Sequence, residues 1–172
     1  GKNEFGMFAR NSNRFIPIHD CGVQHQKINE VFKTIVELMD QYNIDAYDYE
    51  TKKGFITHAV VRVSENLDEI QVSFIVPQRV LEINYIVEDI IQLHPEIVSV
   101  FEIVNSDLKN QSFYTNESYL LFGKHTINEA LDGKNYLLTP DTFFQLNTTQ
   151  ADKFYKKMAE LANLNQNEVA ID

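Results

Sequence analysis

Ile70-Gln-Val-Ser-Phe-Ile-Val76 carries apolar side chains at every second position, the period of a β-strand with one buried face. A second β-rich run, Ala59-Val-Val-Arg-Val63, precedes it, and the polar residues 64–68 lie between the two. The two runs therefore predict an antiparallel pair of strands. Further toward the N-terminus, residues 5–9 and 15–18 predict a short hairpin with a polar turn.

Two helices are predicted on either side of this strand pair. Residues 28–42 repeat apolar side chains at intervals of three and four, which indicates a helix with one apolar stripe. Pro77 opens the second helix, and His94-Pro95 ends it because the residue before a proline avoids the α region. A strand over residues 97–104 follows. This order of elements predicts an α+β fold with the helices on one face of an antiparallel sheet.

The last third of the chain predicts short strands and a third helix. Residues 105–116 read as a loop, and strands are predicted over 119–122, 126–131 and 136–138, with Asp132-Gly133 as a hairpin turn. Thr148 or Thr149 is expected to cap the third helix. Its expected buried stripe consists of Ala151, Phe154, Tyr155, Met158, Leu161 and Ala162. Val169-Ala-Ile-Asp172 resembles the first strand of a doubly wound nucleotide-binding sheet.

Composition excludes some classes of protein. The 172 residues have a net charge of −10, so no overall basic field attracts the chain to nucleic acid. The N-terminal 20 residues are the exception, since their basic residues outnumber their carboxylates. No apolar run approaches the roughly 20 residues that span a bilayer, and no signal peptide is recognisable. Together with a single cysteine, these features favour a cytoplasmic location.

Most candidate sites have a simpler structural interpretation. His19, Cys21 and His25 match no zinc pattern with paired cysteines, which favours a part-buried thiol beside surface histidines over a metal site. His58 could act as an acid or base near neutral pH, but the sequence places no partner beside it, which favours a structural histidine. The six glycines form neither a dinucleotide fingerprint nor a phosphate-binding loop.

Phe143-Phe-Gln-Leu-Asn147 differs in kind, because two aromatics and two amides lie between a predicted strand and a helix N-terminus. Its side chains either face a cleft or pack in the core beside a helix cap. The longer segment Leu138-Thr-Pro-Asp-Thr-Phe-Phe-Gln-Leu-Asn147 resembles a motif of the RNA uracil-5-methyltransferase family, Ser-Pro-x-Ser-Phe-Phe-Gln-Val-Asn. The run from Phe5 to Cys21 is similar to the family segment that leads to its last iron–sulfur cysteine. Gly54-Phe-Ile-Thr-His-Ala-Val-Val-Arg62 is similar to a third segment, in the same order along the chain.

This resemblance implies that the chain is an interior fragment of an S-adenosylmethionine-dependent RNA (uracil-5-)-methyltransferase, acting on ribosomal RNA. Residues 1–118 would form a central α/β domain, and residues 119–172 the truncated N-terminal portion of a Rossmann-like methyltransferase domain. Gln145 would bind the cofactor and Phe143 the substrate side. Cys21 would be the fourth iron–sulfur ligand, if the parent protein has the other three.

The family chemistry implies a covalent adduct. A cysteine adds to uracil C6, the enolate takes the methyl group, and a carboxylate removes the C5 proton so that the thiol can leave. Neither the nucleophilic cysteine nor the basic glutamate maps onto this chain, so both are expected beyond residue 172 and the fragment alone is expected to be inactive. The alternative is a non-catalytic RNA- or protein-interaction module of the same fold.

Overall fold

The computed structural model describes residues 3–12, 14–65, 67–107 and 113–163, together with Glu168. These residues form a mixed α+β structure, as the sequence predicts. The elements, in chain order, are β1 (Gly6–Phe8), β2 (Phe15–Pro17), α1 (Gln26–Gln41), β3 (His58–Val63), β4 (Ile70–Val76), α2 (Ile83–Leu93), β5 (Ile97–Val104), β6 (Ser118–Gly123), β7 (Ile127–Leu131), β8 (Lys134–Leu138) and α3 (Thr148–Ala162). None of the helices within the described residues is long and apolar enough to cross a membrane.

The central sheet has the order β3-β4-β5-β6. β3 and β4 pair antiparallel, from His58 opposite Ile75 to Val63 opposite Ile70, which confirms the predicted pair. The prediction of an antiparallel sheet is wrong for β4 and β5, which run parallel. The reason is that α2 carries the chain back across the sheet, so that β5 starts at the same end as β4. The sheet is therefore mixed.

Both of the first two helices contribute to one hydrophobic cluster with β4. The alternating residues Ile70, Val72, Phe74 and Val76 lie in this cluster together with buried side chains of α1 and α2. A smaller cluster contains the intervening Ile75 with two residues of β5, Phe101 and Ile103. The period-two pattern of β4 thus separates a large core from a small one.

α2 begins at Ile83, six residues later than the predicted start at Pro77. A buried carboxylate on β5 explains the difference. Glu102 accepts a hydrogen bond from the Val80 amide at 2.6 Å, and its other oxygen lies 2.7 Å from Arg79 Nε. The guanidinium also lies 3.8 Å from the centre of the Tyr119 ring. These contacts hold residues 79 and 80 outside the helix, and the predicted apolar position Leu81 is 70 % exposed.

β7 and β8 form the predicted hairpin, with Asp132 and Gly133 at φ 49° and 71°, the signs that a type I′ turn requires. α3 follows, but its N-cap is Asn147, whose side chain accepts from the Gln150 amide; the prediction of Thr148 or Thr149 is wrong. The hydroxyls of both threonines bond carboxylates on other elements instead.

The predicted buried stripe of α3 is also wrong in part. Among its six residues only Ala151 is buried, and Phe154 and Leu161 are 62 % and 74 % exposed. The strand predicted over residues 169–172 lies outside the described residues. The division of the chain at residue 118 stays a prediction, although β6, on its far side, pairs with β5 as the edge strand of the central sheet.

Candidate functional site

The segment that carries Phe143 and Gln145, residues 139–147, connects β8 to α3 and is here called the motif loop. It begins with a tight turn: the Thr142 amide donates to the Thr139 carbonyl at 3.1 Å, and the Thr139 amide donates to the Thr142 hydroxyl at 3.0 Å. The Thr139 hydroxyl donates to Asp141 at 2.6 Å. Such local side-chain bonds replace a regular backbone ladder and fix the direction in which the loop leaves β8.

Arg62, on β3, ties this turn to the central sheet. Its guanidinium donates to the Thr142 carbonyl at 2.8 Å and, more weakly, to the Thr139 carbonyl at 3.4 Å. Burial lowers the pKa of Arg62, and the nearby charges of Tyr114 and Asp141 act in the opposite direction. A planar guanidinium has several donors in a fixed geometry, so one side chain can hold two carbonyls of the same turn.

A buried carboxylate holds the other end of the loop. Glu129, on β7, accepts from the Thr148 hydroxyl at 3.2 Å, from the Ser64 hydroxyl at 3.3 Å and from the Glu65 amide at 3.1 Å. The Glu65 side chain in turn accepts from the Thr149 hydroxyl at 2.9 Å. The loop is therefore anchored before residue 143 by Arg62 of β3, and after residue 147 by Glu129 of β7 and by Glu65, which follows β3.

Between these anchors the side chains project outward. Phe143 is 84 % exposed and Leu146 is 94 % exposed. Gln145 lines an open cleft of about 290 Å³ together with residues at the start of α3: Asn147, Gln150, Ala151, Phe154 and Tyr155. The structure thus places Gln145 in a cleft, whereas Phe143 is not among the residues that line it. The ring of Phe144 lies 5.4 Å from that of Tyr136.

The lining of this cleft suits binding rather than proton transfer. Amide side chains at 145, 147 and 150 offer donors and acceptors without a charge, and Phe154 and Tyr155 offer ring faces. A ligand with a planar apolar part and several hydrogen-bonding groups matches this combination. These uncharged side chains do not by themselves supply a general acid or base. The assignments of Gln145 and Phe143 stay predictions.

Cys21 lies just before α1, away from the motif loop in the sequence. The side chain of buried Asn29 holds its backbone: the Cys21 amide donates to Asn29 Oδ1 at 3.2 Å, and Asn29 Nδ2 donates to the Cys21 carbonyl at 3.3 Å. The thiol is half-buried and free of a disulfide. Among the residues that the structure describes, no three histidines, cysteines or carboxylates are grouped to hold a metal ion. The role of Cys21 as an iron–sulfur ligand stays a prediction.

His58 has a structural setting at the start of β3. Its ring centre lies 4.5 Å from that of Phe113, and burial lowers its pKa, so the imidazole is neutral at pH 7. The small cavity of about 20 Å³ beside it has room for a water molecule and no larger ligand. Neither Gln145 nor Cys21 lines this small cavity, and His58 does not line the cleft that contains Gln145.

Sequence reasoning missed the residues that position the loop. Arg62 interrupts the apolar run of β3, and Glu129 occupies an alternate position between Ile127 and Leu131 on β7. A charged residue at an inward-facing strand position indicates a buried polar contact. That signal was present, although it could not name the partner.

Comparison with known proteins agrees with the methyltransferase resemblance of the sequence. No protein-family model matches the chain. Over its whole length the chain is 27% identical to an uncharacterized RNA methyltransferase of Streptococcus pyogenes and 30% identical to one of Staphylococcus aureus. It spans 37% and 39% of the length of these relatives.

The fold is also found in a solved structure. It is the structure of the Pyrococcus abyssi tRNA (uracil-54, C5)-methyltransferase in complex with S-adenosyl-L-homocysteine. The match covers 90% of this chain and 37% of that protein, with a TM-score of 0.71 and 24% identity. The chain therefore has the fold of part of a methyltransferase. Together with the curated relatives, it fits the RNA uracil-5-methyltransferase family, which confirms the resemblance noted in its sequence.

Proposed function

We propose that the protein to which this chain belongs is an S-adenosylmethionine-dependent methyltransferase that modifies C5 of uridine in ribosomal RNA. The observation that carries the proposal is the similarity of the whole chain to RNA methyltransferases. In the structure of this chain, the motif loop is anchored at both ends. The relatives support methylation of RNA. The uridine carbon is supported by the fold shared with a tRNA (uracil-54, C5)-methyltransferase.

The cofactor proposal rests on the chemistry of the cleft. S-adenosylmethionine has an adenine ring, a ribose and an amino acid part, and it needs both ring faces and neutral hydrogen-bonding groups. The amides at 145 and 150 and the ring of Phe154 supply groups of these kinds. When bound, this cofactor supplies the methyl group. The two anchors reduce the freedom of Gln145 before the ligand arrives, which lowers the entropy cost of binding.

Within the proposed reaction, the residues of the motif loop position the ligands. A cysteine adds to uracil C6 and activates C5 as a nucleophile, and after methyl transfer a base removes the C5 proton so that the cysteine leaves. The exposed ring of Phe143 offers a stacking surface for a base that has left the helix. Gln145 would orient the methyl donor from the neighbouring cleft.

A substitution at Gln145 tests the cofactor site. In the whole protein, Gln145→Ala should weaken S-adenosylmethionine binding about 5-fold to 10-fold, the effect of one lost hydrogen bond of about 1 kcal/mol. Isothermal titration calorimetry measures this affinity. Gln92→Ala removes an exposed glutamine of α2 that bonds only within its helix, and it should leave the affinity unchanged. Equal affinities for both variants would remove Gln145 from the site.

The choice of ribosomal RNA needs a separate test. Ribosomal and transfer RNA from cells that lack the gene should be digested to nucleosides and compared with RNA from the parent strain by mass spectrometry. In cells that lack the gene, we expect less 5-methyluridine in ribosomal RNA than in the parent strain. The gene on a plasmid should restore the amount. A loss confined to transfer RNA would move the proposal to that substrate, and no change in either fraction would favour a non-catalytic interaction module.

A further inference from the structure

The β1–β2 hairpin exposes an unusual amount of apolar surface. Its cross-strand pairs are Met7 with Ile16 and Phe8 with Phe15, and all four side chains are between 39 % and 64 % exposed. Contiguous exposed apolar groups on a soluble domain mark a surface that meets a partner. The two pairs lie on opposite faces of the ribbon, because side chains alternate along a strand.

One of these faces is aromatic. The rings of Phe8 and Phe15 lie 5.8 Å apart at an interplanar angle of 70°, and Tyr49, from the turn that precedes β3, extends this row of edge-to-face rings at 6.4 Å and 81° from Phe8. Tyr49 is 41 % exposed. We call these three rings, together with the exposed turn of the hairpin that carries Arg10 and Arg14, the hairpin face.

The base of the hairpin is fixed, so the hairpin face is held in place. The ring of Phe5 stacks on Phe32 of α1 at 5.3 Å. Asn3 bonds the Asp40 carboxylate at 2.8 Å and accepts from the Ala46 amide at 2.8 Å. A surface that is ordered before binding loses less entropy on association than a flexible one.

Charge indicates the kind of partner. The chain has 25 carboxylates against 15 basic residues, yet residues 5–18 contain Arg10 and Arg14 and no carboxylate. Both arginines are exposed. The adjoining turn, residues 48–53, is neutral in sum, with two acids and two lysines. The hairpin face is therefore a local basic region on an acidic protein, which suits a polyanion.

We propose that the hairpin face binds a single-stranded segment of RNA, with bases stacked on the aromatic row and phosphates at the two arginines. Proteins that hold single strands combine these two features, because every base has a π-face and every linkage a charge. The selection of RNA rests on the proposed function. The experiment below distinguishes RNA binding from a contact in which another part of the same protein covers the hairpin.

The test measures the affinity of the 172-residue chain for a fluorescein-labelled oligouridine by fluorescence anisotropy. Phe8→Ala should weaken binding about 5-fold, the lower end of the effect of losing one stacked base. Tyr85→Ala is the matched control, because Tyr85 is 54 % exposed against 53 % for Phe8 and also packs against aromatic surface, the ring of Tyr42. This control should bind like the unchanged chain.

The arginines are tested through the salt dependence. Arg10→Ala combined with Arg14→Ala should reduce the slope of log Kd against log salt by about 1.4, since each phosphate contact on a single strand contributes about 0.7. Lys33→Ala combined with Lys134→Ala removes the same charge from exposed positions on α1 and β8 and should leave the slope unchanged. Circular dichroism melts verify that every variant is folded.

The proposal is overturned if the chain does not bind the oligonucleotide, or if the hairpin variants and their controls bind alike. It is also overturned if Phe8→Ala leaves RNA affinity unchanged in the whole protein but lowers its melting temperature more than that of the chain, because the face would then be an internal contact. Failure of the proposed function is distinguishable: it would show as normal RNA binding without any 5-methyluridine product.

Discussion

At the scale of single residues, the candidate site depends on two side chains that never touch the proposed ligands. Arg62 and Glu129 lie on strands, and each bonds groups of, or directly after, the motif loop. Their contacts join residues 80 and 19 positions apart in the sequence. The loop motif could be recognised from the sequence because its residues are contiguous. Its anchors could not, because only the fold brings Arg62 to Thr142.

Removing the arginine should therefore loosen the loop. We expect Arg62→Ala to speed amide hydrogen exchange across residues 139–147 while α1 keeps its protection, and to cost about 1.5 kcal/mol of unfolding free energy, the lower end for bonds from a charged donor. Exchange detected by mass spectrometry resolves the two regions. Arg14→Ala, which removes an exposed guanidinium, is the control. Unchanged exchange across the loop in Arg62→Ala would show that the bonds do not hold it.

His58 predicts a pH dependence of stability. Burial holds its pKa below the ordinary 6.5, so the unfolded chain takes up a proton at a higher pH than the folded chain does. The free energy of unfolding that neutral His58 contributes is fully present above pH 6.5, and it is lost as the pH falls below that value. Urea denaturation at two pH values, one above and one below this point, should show a larger loss of stability for the unchanged chain than for His58→Gln. Equal losses would mean that His58 titrates alike in both states.

At the scale of elements, the N-terminus of α3 is set by Asn147. Its side chain accepts from the Gln150 amide at 2.9 Å, whereas the Thr149 hydroxyl is occupied by Glu65. We expect Asn147→Ala to destabilise the first turn of α3 by about 1 kcal/mol, the usual cost of losing an N-cap. Thr149→Ala should have a smaller effect on exchange in that turn. The reverse order would restore Thr149 as the cap.

Elements with a strict local pattern were predicted correctly, and those shaped by distant contacts were not. The bounds of β4 and β5 follow from their apolar runs and were predicted residue for residue. The start of α2 was missed because Glu102, on a later strand, holds Arg79 and Val80 outside the helix. The parallel pairing of β4 with β5 follows from the helix between them, which returns the chain to the same end of the sheet, and the prediction of an antiparallel sheet did not take this into account.

At the scale of the whole molecule, the central sheet and its two helices connect the motif loop with the hairpin. The chain spans 37% to 39% of the length of its curated relatives. Its mixed sheet, with α1 and α2 against one face, carries the motif loop through Arg62 and the basic hairpin through the contacts of α1. The two proposed surfaces, the motif loop for the methyl donor and the hairpin face for RNA, therefore lie near opposite ends of the sequence.

The most direct test is a methyl-transfer assay with the whole protein, ribosomal RNA and S-adenosylmethionine whose methyl group is deuterated. After digestion to nucleosides, mass spectrometry should show deuterium in 5-methyluridine alone. Deuterium in a different nucleoside, or in none, would contradict the proposal that this protein methylates uridine at C5.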